Sequence, residues 1–364
     1  MVQRKKLSLI VVVILLIALP LFLIVVKQTQ NSRSRATATD QLEAEGGVLS
    51  GSAQIKTDTN ASGGQYVAFA NQTPTPTSII ISNTPTPGSC PSSLQTAINN
   101  TASNGVLDVT GCGPYIGTFN ISKSITLKGA KINAPANVSG IFITADNVII
   151  TNAVVTGSQS SVYQSGEKCI MATGSSTDSI DGLTIRDSSI SRCGYGGIYL
   201  RFGRSALISN NTIQDSVYTG ILLASVSNST VENNVVRRTG VYGGSANGWN
   251  AYGITATQQS GDSPSTDILI SGNTIDTVPT WHGLDTHGGV RISFVGNIVS
   301  GARRAIFLTS SPQSVIAKSN DLTAPTTAQI SACQGINDGR NTVFCSDIRG
   351  ISVVGGSGLI TNNI

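Results

Sequence analysis

Charged side chains are scarce in this sequence, and that scarcity excludes several classes of protein. Asp, Glu, Lys and Arg make up 12% of the 364 residues, about half the usual share. Hydrophobic residues reach 39%, which is too many for a disordered polyelectrolyte. A helical bundle is also excluded, because bundles are rich in Ala, Glu, Lys and Leu.

Excess positive charge is missing from most of the chain. The net charge is +4, but Arg4, Lys5 and Lys6 stand at the start, which leaves 20 basic and 19 acidic residues after them. A nucleic-acid-binding domain would be basic. We therefore expect no nucleic-acid partner.

Long apolar runs are limited to one, at residues 7–26. Twenty helical residues span about 30 Å, the thickness of the hydrocarbon layer. No small-x-small cleavage site follows the run, so we predict an uncleaved transmembrane signal anchor. The basic residues at 1–6 predict a cytoplasmic N-terminus. They place residues 27–364 outside the cytoplasm of a single-pass membrane protein, with residues 27–40 as a polar stalk.

The six cysteines include no C-x-x-C pair, which argues against zinc or thioredoxin-like chemistry. Six cysteines allow fifteen pairings, and sequence proximity favours three of them. Buried free thiols are the alternative. Disulfides persist in oxidising compartments, in agreement with the predicted topology. The favoured pairs are Cys90 with Cys112, Cys169 with Cys193, and Cys333 with Cys345.

Two segments separate the stalk from the main part of the chain. Residues 41–70 contain EAE at 43–45 and ASGGQYV at 61–67, and they resemble the opening of β-sandwich carbohydrate-binding modules. The resemblance covers only a fragment of such a module, so a short spacer or a remnant is predicted. Residues 71–89 carry two TPTP runs, typical of an extended, semi-rigid linker.

Glycine and β-branched residues are abundant beyond residue 90, which favours many short strands and turns. Two markers repeat every 22 to 24 residues, with insertions between some units. The first marker is Asn152, Asn211, Asn234, Asn273, Asn297, Asn320 and Asn363, with Ser188 filling the longest gap. The second marker is Gly197-Ile198, Gly220-Ile221, Gly253-Ile254, Gly283-Leu284 and Ala305-Ile306.

Units this short cannot bury an apolar face alone and must stack on one another. Residues 90–364 resemble the right-handed parallel β-helix, or pectate-lyase-like, superfamily. The resemblance implies an all-β solenoid. Residues 92–102, with Leu94, Ala97 and Ile98 on one face, predict a short amphipathic helix that caps the first coil.

Alignment on the Gly-Ile marker predicts which residues share a column, because equivalent positions of a parallel stack lie about 4.8 Å apart. Ile198, Ile221, Ile254, Leu284 and Ile306 are predicted to point inward. Two outward columns follow from the alternation of side chains: Tyr199, Leu222, Thr255, Asp285 and Phe307, then Arg201, Ala224, Thr257, His287 and Thr309. Two further columns precede them: Tyr195, Tyr218, Ala251, Trp281 and Arg303, then Gly196, Thr219, Tyr252, His282 and Arg304.

The chain has only two histidines, and both stand in the segment WHGLDTHGG at 281–289. Imidazole is the side chain best suited to moving protons near neutral pH. The segment is similar to the catalytic motif Tyr-Gly-Phe-Asp-Pro-His-Asp of mannuronan C5-epimerases and related alginate lyases. Gly283, Asp285 and His287 match it; His282 stands at the position of its Tyr acid, Leu284 replaces Phe, Thr286 replaces Pro, and Gly288 departs from the final Asp. The resemblance implies that His287 is the base.

These residues suit β-elimination or epimerisation of a uronate, which needs a cation, a base and an acid around the reacting carbon. We predict His287 as base, His282 or Tyr252 as acid, Asp285 as the group that tunes the imidazole, and Arg304 or Arg303 as the cation. Aromatic platforms for sugar rings are predicted at Trp281, Tyr195, Tyr218 and Tyr252, with Arg201 and Arg238 as more distant cations.

The prediction is therefore a membrane-anchored β-helix that acts on an acidic polysaccharide, without a cofactor and without an obligatory metal. One alternative is a non-catalytic surface protein for glycan binding or adhesion. Another is a glycoside hydrolase, which needs two carboxylates across the scissile bond. Asp262 is the only nearby candidate for a partner of Asp285.

Overall fold

A computed structural model describes residues 90–158, 163–241, 250–335 and 348–364, together with the backbone of two earlier strands and without the side chains of 332–335. The chain divides into two compact units, residues 1–79 and 80–364. In chain order the elements are β1 (Ala53–Thr57), β2 (Gln65–Phe69), α1 (Leu94–Asn100), β3 (Gly105–Asp108), β4 (Tyr115–Ile116), β5 (Phe119–Ile121), β6 (Ile125–Lys128), β7 (Lys131–Asn133), β8 (Ile141–Ile143), β9 (Ile149–Thr151), β10 (Val154–Thr156), β11 (Lys168–Thr173), β12 (Ile180–Asp181), β13 (Thr184–Arg186), β14 (Ser189–Ser191), β15 (Gly196–Arg204), β16 (Leu207–Ser209), β17 (Thr212–Gln214), β18 (Thr219–Glu232), β19 (Val235–Arg237), β20 (Tyr252–Thr257), β21 (Thr266–Ser271), β22 (Thr274–His287), β23 (Val290–Val295), β24 (Ile298–Thr309), β25 (Val315–Lys318), β26 (Asp321–Thr323), α2 (Thr327–Gly335), β27 (Arg349–Val353) and β28 (Gly358–Thr361).

In the first unit, β1 and β2 form an antiparallel pair in which Ala53 lies opposite Phe69. Both strands fall inside the segment 41–70. The predicted anchor at 7–26, the stalk at 27–40 and the linker at 71–89 lie outside the described residues. Within the described ranges, no helix has the length and apolar character needed to cross a membrane.

The second unit is a stack of coils joined by parallel strand pairing, so the predicted solenoid is confirmed. Each coil hydrogen-bonds to the next at equivalent positions, as the periodicity predicts. The inward column is continuous, completely buried from Ile141 to Ile306 and half-buried at Ile351. It runs through Phe119, Ile141, Ile170, Ile198, Ile221, Ile254, Leu284, Ile306 and Ile351.

The glycine of the Gly-Ile marker faces the interior as well, which interrupts the normal alternation of the strand. A Cβ on Gly283 would lie 2.4 Å from Cγ1 of Val299, a buried core residue. Leu284, the next residue, is also fully buried. Because two successive positions point inward, the residue before the glycine lies on the same outer face as the residue after the leucine.

A second constraint comes from the turn that precedes the ladder of asparagines. One residue per coil adopts a positive φ there, for example 55° at Asn233 and 62° at Gly272, a region favoured by Gly and Asn. The next residue then points into the core. The ladder consists of Ser188, Asn211, Asn234, Asn273, Asn297, Asn320 and Asn363.

Each rung of this ladder is saturated by its neighbours. The Nδ2 atom of Asn273 donates to the carbonyl of Val231 at 2.9 Å and to Oδ1 of Asn297 at 3.0 Å. Its own Oδ1 accepts from the backbone N of Asn234 at 2.9 Å and from Nδ2 of Asn234 at 3.0 Å. The place predicted for Ser188 in the ladder is confirmed by the bond from its backbone N to Oδ1 of the next rung, Asn211.

Asn152 is a correction to the predicted marker. Its φ is 53°, and its backbone N donates to the carbonyl of Arg186. It therefore occupies the left-handed turn position, and the following residue, Ala153, takes the place in the ladder. An Asn suits both neighbouring positions, so the letter alone does not distinguish them.

Two of the three predicted disulfides are confirmed, Cys90 with Cys112 and Cys169 with Cys193. The predicted pair of Cys333 with Cys345 lies outside the described side chains. Helix α1 begins after Ser93, whose hydroxyl accepts from the backbone N of Thr96. Its Leu94 and Ile98 are buried in the core. That this helix caps the first coil stays a prediction.

We expect Asn273→Ala to lower the free energy of unfolding by about 2 to 4 kcal/mol, because it removes the side-chain partner of the buried backbone N of Asn234 and of the carbonyl of Val231 in the preceding coil. Denaturant unfolding of the full chain measures the change. Asn133→Ala is the control, since Asn133 is an exposed strand residue. Equal stability of the two variants would contradict the role given to the ladder.

Candidate functional site

The centre of the site is a carboxylate held between the two imidazoles. Asp285 is fully buried on the outer side of β22. Its Oδ2 lies 2.7 Å from Nδ1 of His282, and its Oδ1 lies 2.6 Å from Nδ1 of His287. The hydroxyl of Thr255, on the preceding coil, donates to Oδ1 at 3.0 Å.

The interrupted alternation at Gly283 produces this arrangement. His282 stands in register with Tyr252 on one coil and Arg304 on the other. Without two successive inward positions, His282 and Asp285 would lie on opposite faces of the strand. The glycine therefore places a histidine three residues before the aspartate on the same side of the sheet.

The pKa values of the two histidines shift in opposite directions, although Asp285 acts to raise both. Burial lowers the pKa of His282 to about 4, despite the opposing effect of the carboxylate. For His287, burial acts to lower the pKa, but the charge of Asp285 and its hydrogen bond together raise it above 6.5. His282 is therefore neutral near pH 7, and its Nδ1 donates to the carboxylate.

Asp285 stays ionised in spite of its burial. Burial alone would raise its pKa, but the charge of His287 and the hydrogen bonds from both imidazoles lower it to about 2. His287 is 29% exposed while His282 has no exposure. With Nδ1 of His287 engaged by Asp285, its Nε2 is the nitrogen that remains for an external proton.

Aromatic rings and arginines surround the imidazoles. The ring of Phe307 lies 4.1 Å from that of His282, and Trp281 stacks on His282 at 4.5 Å. The guanidinium of Arg304 lies 4.7 Å from the centre of the Phe307 ring and is half-buried. Arg303 lies over Trp281 at 4.8 Å and is only 3% exposed, which argues against the direct contact with substrate predicted for it.

Tyrosines continue the surface over the three preceding coils. Tyr252 lies 5.8 Å from His287 and 5.5 Å from Tyr218, measured between ring centres. Tyr195 follows at 4.9 Å from Tyr218, and Tyr163 contacts both. We call Tyr163, Tyr195, Tyr218 and Tyr252 the tyrosine row.

The tyrosines remain protonated at neutral pH. Burial is the main cause, and it raises the pKa of Tyr252 strongly, with a further contribution from the charge of Asp285. Burial likewise raises the pKa of Tyr218 to about 12. The phenol of Tyr252 therefore carries its proton beside the two histidines.

The two predicted distant cations, Arg201 and Arg238, form ion pairs with carboxylates of the protein. Arg201 makes a two-point ion pair with Asp262, with contacts of 2.9 and 3.0 Å. Arg238 makes a similar pair with Asp215 at 2.6 and 2.8 Å. The ion pair of Arg201 holds the loop of Asp262 along the side of the coils, so Asp262 is engaged there.

The structure thus brings together Tyr252, His282, Asp285, His287 and Arg304, the five residues predicted as catalytic. Their roles stay predictions. Sequence reasoning missed Lys168 and Tyr163, which lie at the far end of the tyrosine row. Within the described part of the chain, no group of three or more His, Cys, Asp or Glu side chains is arranged to hold a metal ion.

We expect acid to destabilise the fold through His282. Its pKa falls from 6.5 in the unfolded chain to about 4 in the fold, so the unfolded state takes up the proton first and stability is lost as the pH falls between those values. Between about pH 6.5 and 4.5, His282→Asn should lose less stability than the wild type, by about 2 kcal/mol. Denaturant unfolding at both pH values measures this. Equal losses would show that His282 does not titrate as described.

Residues 118–260 match a family model described as "Right handed beta helix region". The comparison with curated proteins gives no match. The similar solved structures include three at 12% identity, described in turn. The enzymatically active domain of bacteriophage CBA120 tailspike protein 2 has a TM-score of 0.44, with 73% of this chain and 44% of that domain covered. PfbA, a surface adhesin of Streptococcus pneumoniae, also has a TM-score of 0.44, with 72% and 71% covered.

The third structure is an alginate lyase from Paenibacillus sp. str. FPU-7, with a TM-score of 0.40 and with 74% of this chain and 91% of that chain covered. The present chain spans less than half of the tailspike domain. The matched residues lie inside the continuous parallel stack, whose coils extend beyond them on both sides. The chain therefore contains a right-handed parallel β-helix.

Proposed function

We propose that this protein acts on an acidic polysaccharide as a lyase or a C5-epimerase, with His287 as the general base. The observation that carries the proposal is the contact of His287 Nδ1 with the buried carboxylate of Asp285 at 2.6 Å. This contact fixes the ring and directs Nε2 away from Asp285, while Asp285 itself is out of reach of a substrate. An ionised carboxylate behind an imidazole increases its basicity.

The reaction begins with removal of the proton on C5 of a uronate. Nε2 of His287 takes this proton, and the half-buried guanidinium of Arg304 on the next coil pairs with the sugar carboxylate. Neutralising that carboxylate stabilises the negative charge that develops beside C5. Arg304 suits this role better than Arg303, because Arg303 is covered.

The structure favours Tyr252 over His282 as the acid. His282 is completely buried and its Nδ1 is committed to Asp285, so we assign it the positioning of that carboxylate. Tyr252 is half-buried, protonated and 5.8 Å from His287 between ring centres. In elimination, the C5–H electrons form the C4–C5 double bond, the C4–O bond breaks, and the phenol protonates the leaving oxygen. In epimerisation, a proton returns to C5 from the opposite face.

The alternative of glycoside hydrolysis has less support. Asp285 is ionised and buried, and it accepts hydrogen bonds from three donors. It is therefore poorly suited to be the general acid or the nucleophile of a glycosidase. Asp262, the candidate partner, is bound to Arg201. Non-catalytic glycan binding is favoured by the tyrosine row, which offers flat faces to sugar rings.

The proposal includes the place where the protein works. The run at 7–26 would anchor it in the cell membrane and present the β-helix outside the cytoplasm, where polysaccharides and disulfides are both found. The two disulfides of the β-helix agree with an oxidising compartment.

We expect the detergent-solubilised full chain to convert at least one of alginate, pectate and related uronates. A lyase generates an unsaturated product with a new ultraviolet absorbance, and an epimerase changes the sugar composition seen by NMR. His287→Gln should reduce the rate roughly 100-fold or more, whereas the surface variant Asn133→Ala should not. An unchanged rate in His287→Gln would refute the base assignment, and no product across the panel would refute both activities.

The pH dependence of kcat/KM tests the partnership of Asp285 and His287. The base must be unprotonated, so the rate should rise with pH through a pKa above 6.5, the direction of the shift at His287. Asp285→Asn removes the charge that raises this pKa, and the acidic limb should move downward by about one pH unit or more.

Thr255→Val is the matched comparison for this profile. It removes the neutral donor to Asp285 and keeps the charge, so its acidic limb should stay above pH 6.5. A limb that Asp285→Asn leaves in place would show that another group governs the profile.

A further inference from the structure

Lys168 places a second cation on the outer face, at the opposite end of the tyrosine row from Arg304. Its ammonium lies 4.6 Å from the ring centre of Tyr195 and 5.4 Å from that of Tyr199. It donates to the carbonyl of Ser165, and no ion pair within the described ranges includes it. The cation therefore lies on aromatic surface, and the hydrogen bonds of its neighbour Glu167 go to other residues.

The register fixes the distance between Lys168 and the histidines. Lys168 pairs with Gly196, which pairs with Thr219, then with Tyr252 and finally with His282. These are four steps between strands of about 4.8 Å each, or about 19 Å. Tyr195, Tyr218 and Tyr252 occupy the outer face along that path.

The backbone around Lys168 is firmly held. The neighbouring Glu167 is completely buried and accepts from the backbone N of Ser158 at 2.7 Å and of Gly194 at 3.0 Å. The disulfide of Cys169 with Cys193 joins the same two segments. Tyr195 donates its backbone N to the carbonyl of Glu167 at 2.9 Å. Lys168 and Tyr195 are thus fixed relative to each other before any ligand arrives.

We propose that Lys168, together with Tyr195 and Tyr163, forms a distal subsite for an anionic sugar unit, so that the protein binds an acidic chain long enough to span five coils. The subsite rests on the proposed function for its ligand class, an acidic glycan. A sugar ring packs on the tyrosines, and its carboxylate or sulfate pairs with the ammonium.

Charge and burial both favour an anion over a neutral sugar at this place. Lys168 is half-buried, so that its ammonium has less hydration than in water, and this burial lowers its pKa. An anionic group of the ligand would compensate the lost hydration of the ammonium, whereas a neutral hydroxyl would compensate less of it. Because the two cations lie at opposite ends of the row, short oligosaccharides can reach only one of them.

The test measures binding by the full chain carrying His287→Gln, so that turnover does not interfere. The ligands are oligouronates from two to about eight units, sulfated oligosaccharides of similar length, and neutral oligosaccharides as the uncharged set. Lys168→Met should weaken the binding of long acidic oligomers about tenfold and leave the shortest ones unaffected. Lys168→Arg should retain most of the affinity, and Lys131→Met, which removes an exposed lysine of β7, should match the parent.

Each outcome separates this subsite from the proposed chemistry. A length-dependent loss in Lys168→Met supports the subsite even if the wild type turns over no substrate. Equal affinity of Lys168→Met and its parent at every length overturns the subsite, even if the wild type proves to be a lyase. An equal loss for short and long oligomers, or for neutral ones, also overturns it, as does the absence of binding to any acidic oligomer. Preference for carboxylated or for sulfated chains identifies the anion.

Discussion

Two consecutive inward positions in each coil are the constraint on which the candidate site depends. The glycine comes first, because a side chain at Gly283 would collide with Val299, and the aliphatic residue follows. Strict alternation would place His282 and Asp285 on opposite faces of β22. The two successive inward positions place His282 and Asp285 on the same outer face. The packing of Gly283 against the core therefore determines which side chains meet outside it.

Parallel pairing then transmits this arrangement from coil to coil. Tyr252, His282 and Arg304 meet because their strands are in register, although 52 positions separate the first from the last. The asparagine ladder keeps that register, since Oδ1 of Asn273 accepts from both the backbone N and Nδ2 of Asn234, the equivalent residue of the preceding coil. A slip of one residue would orphan the ladder and move Asp285 into the apolar interior, where a carboxylate is costly.

The sequence predicts the columns well and the individual contacts less well. The Gly-Ile marker is enough to align Asp285 with Thr255 and Phe307, because the marker is itself a packing requirement. It is silent about Lys168, whose coil carries Cys169-Ile170 in place of Gly-Ile. The sequence also does not predict the ion pair of Arg201 with Asp262. Asp262 lies in an inserted loop, 61 positions from Arg201. Asn152 was placed one position off because two adjacent sites of the turn accept the same residue.

The charges of Asp285, His282 and His287 depend on how deeply each side chain is buried. Asp285 is shielded from solvent, yet it stays ionised for two reasons. Protonated His287 carries a compensating positive charge, and neutral His282 donates a hydrogen bond to the carboxylate. When His287 is in its neutral form, Asp285 is left as a buried net negative charge. A substrate carboxylate paired with Arg304 would bring a second negative charge to the same face, and such a charge strengthens the tendency of His287 to take up a proton. Binding of an acidic sugar would thus increase the basicity that the proposed reaction requires.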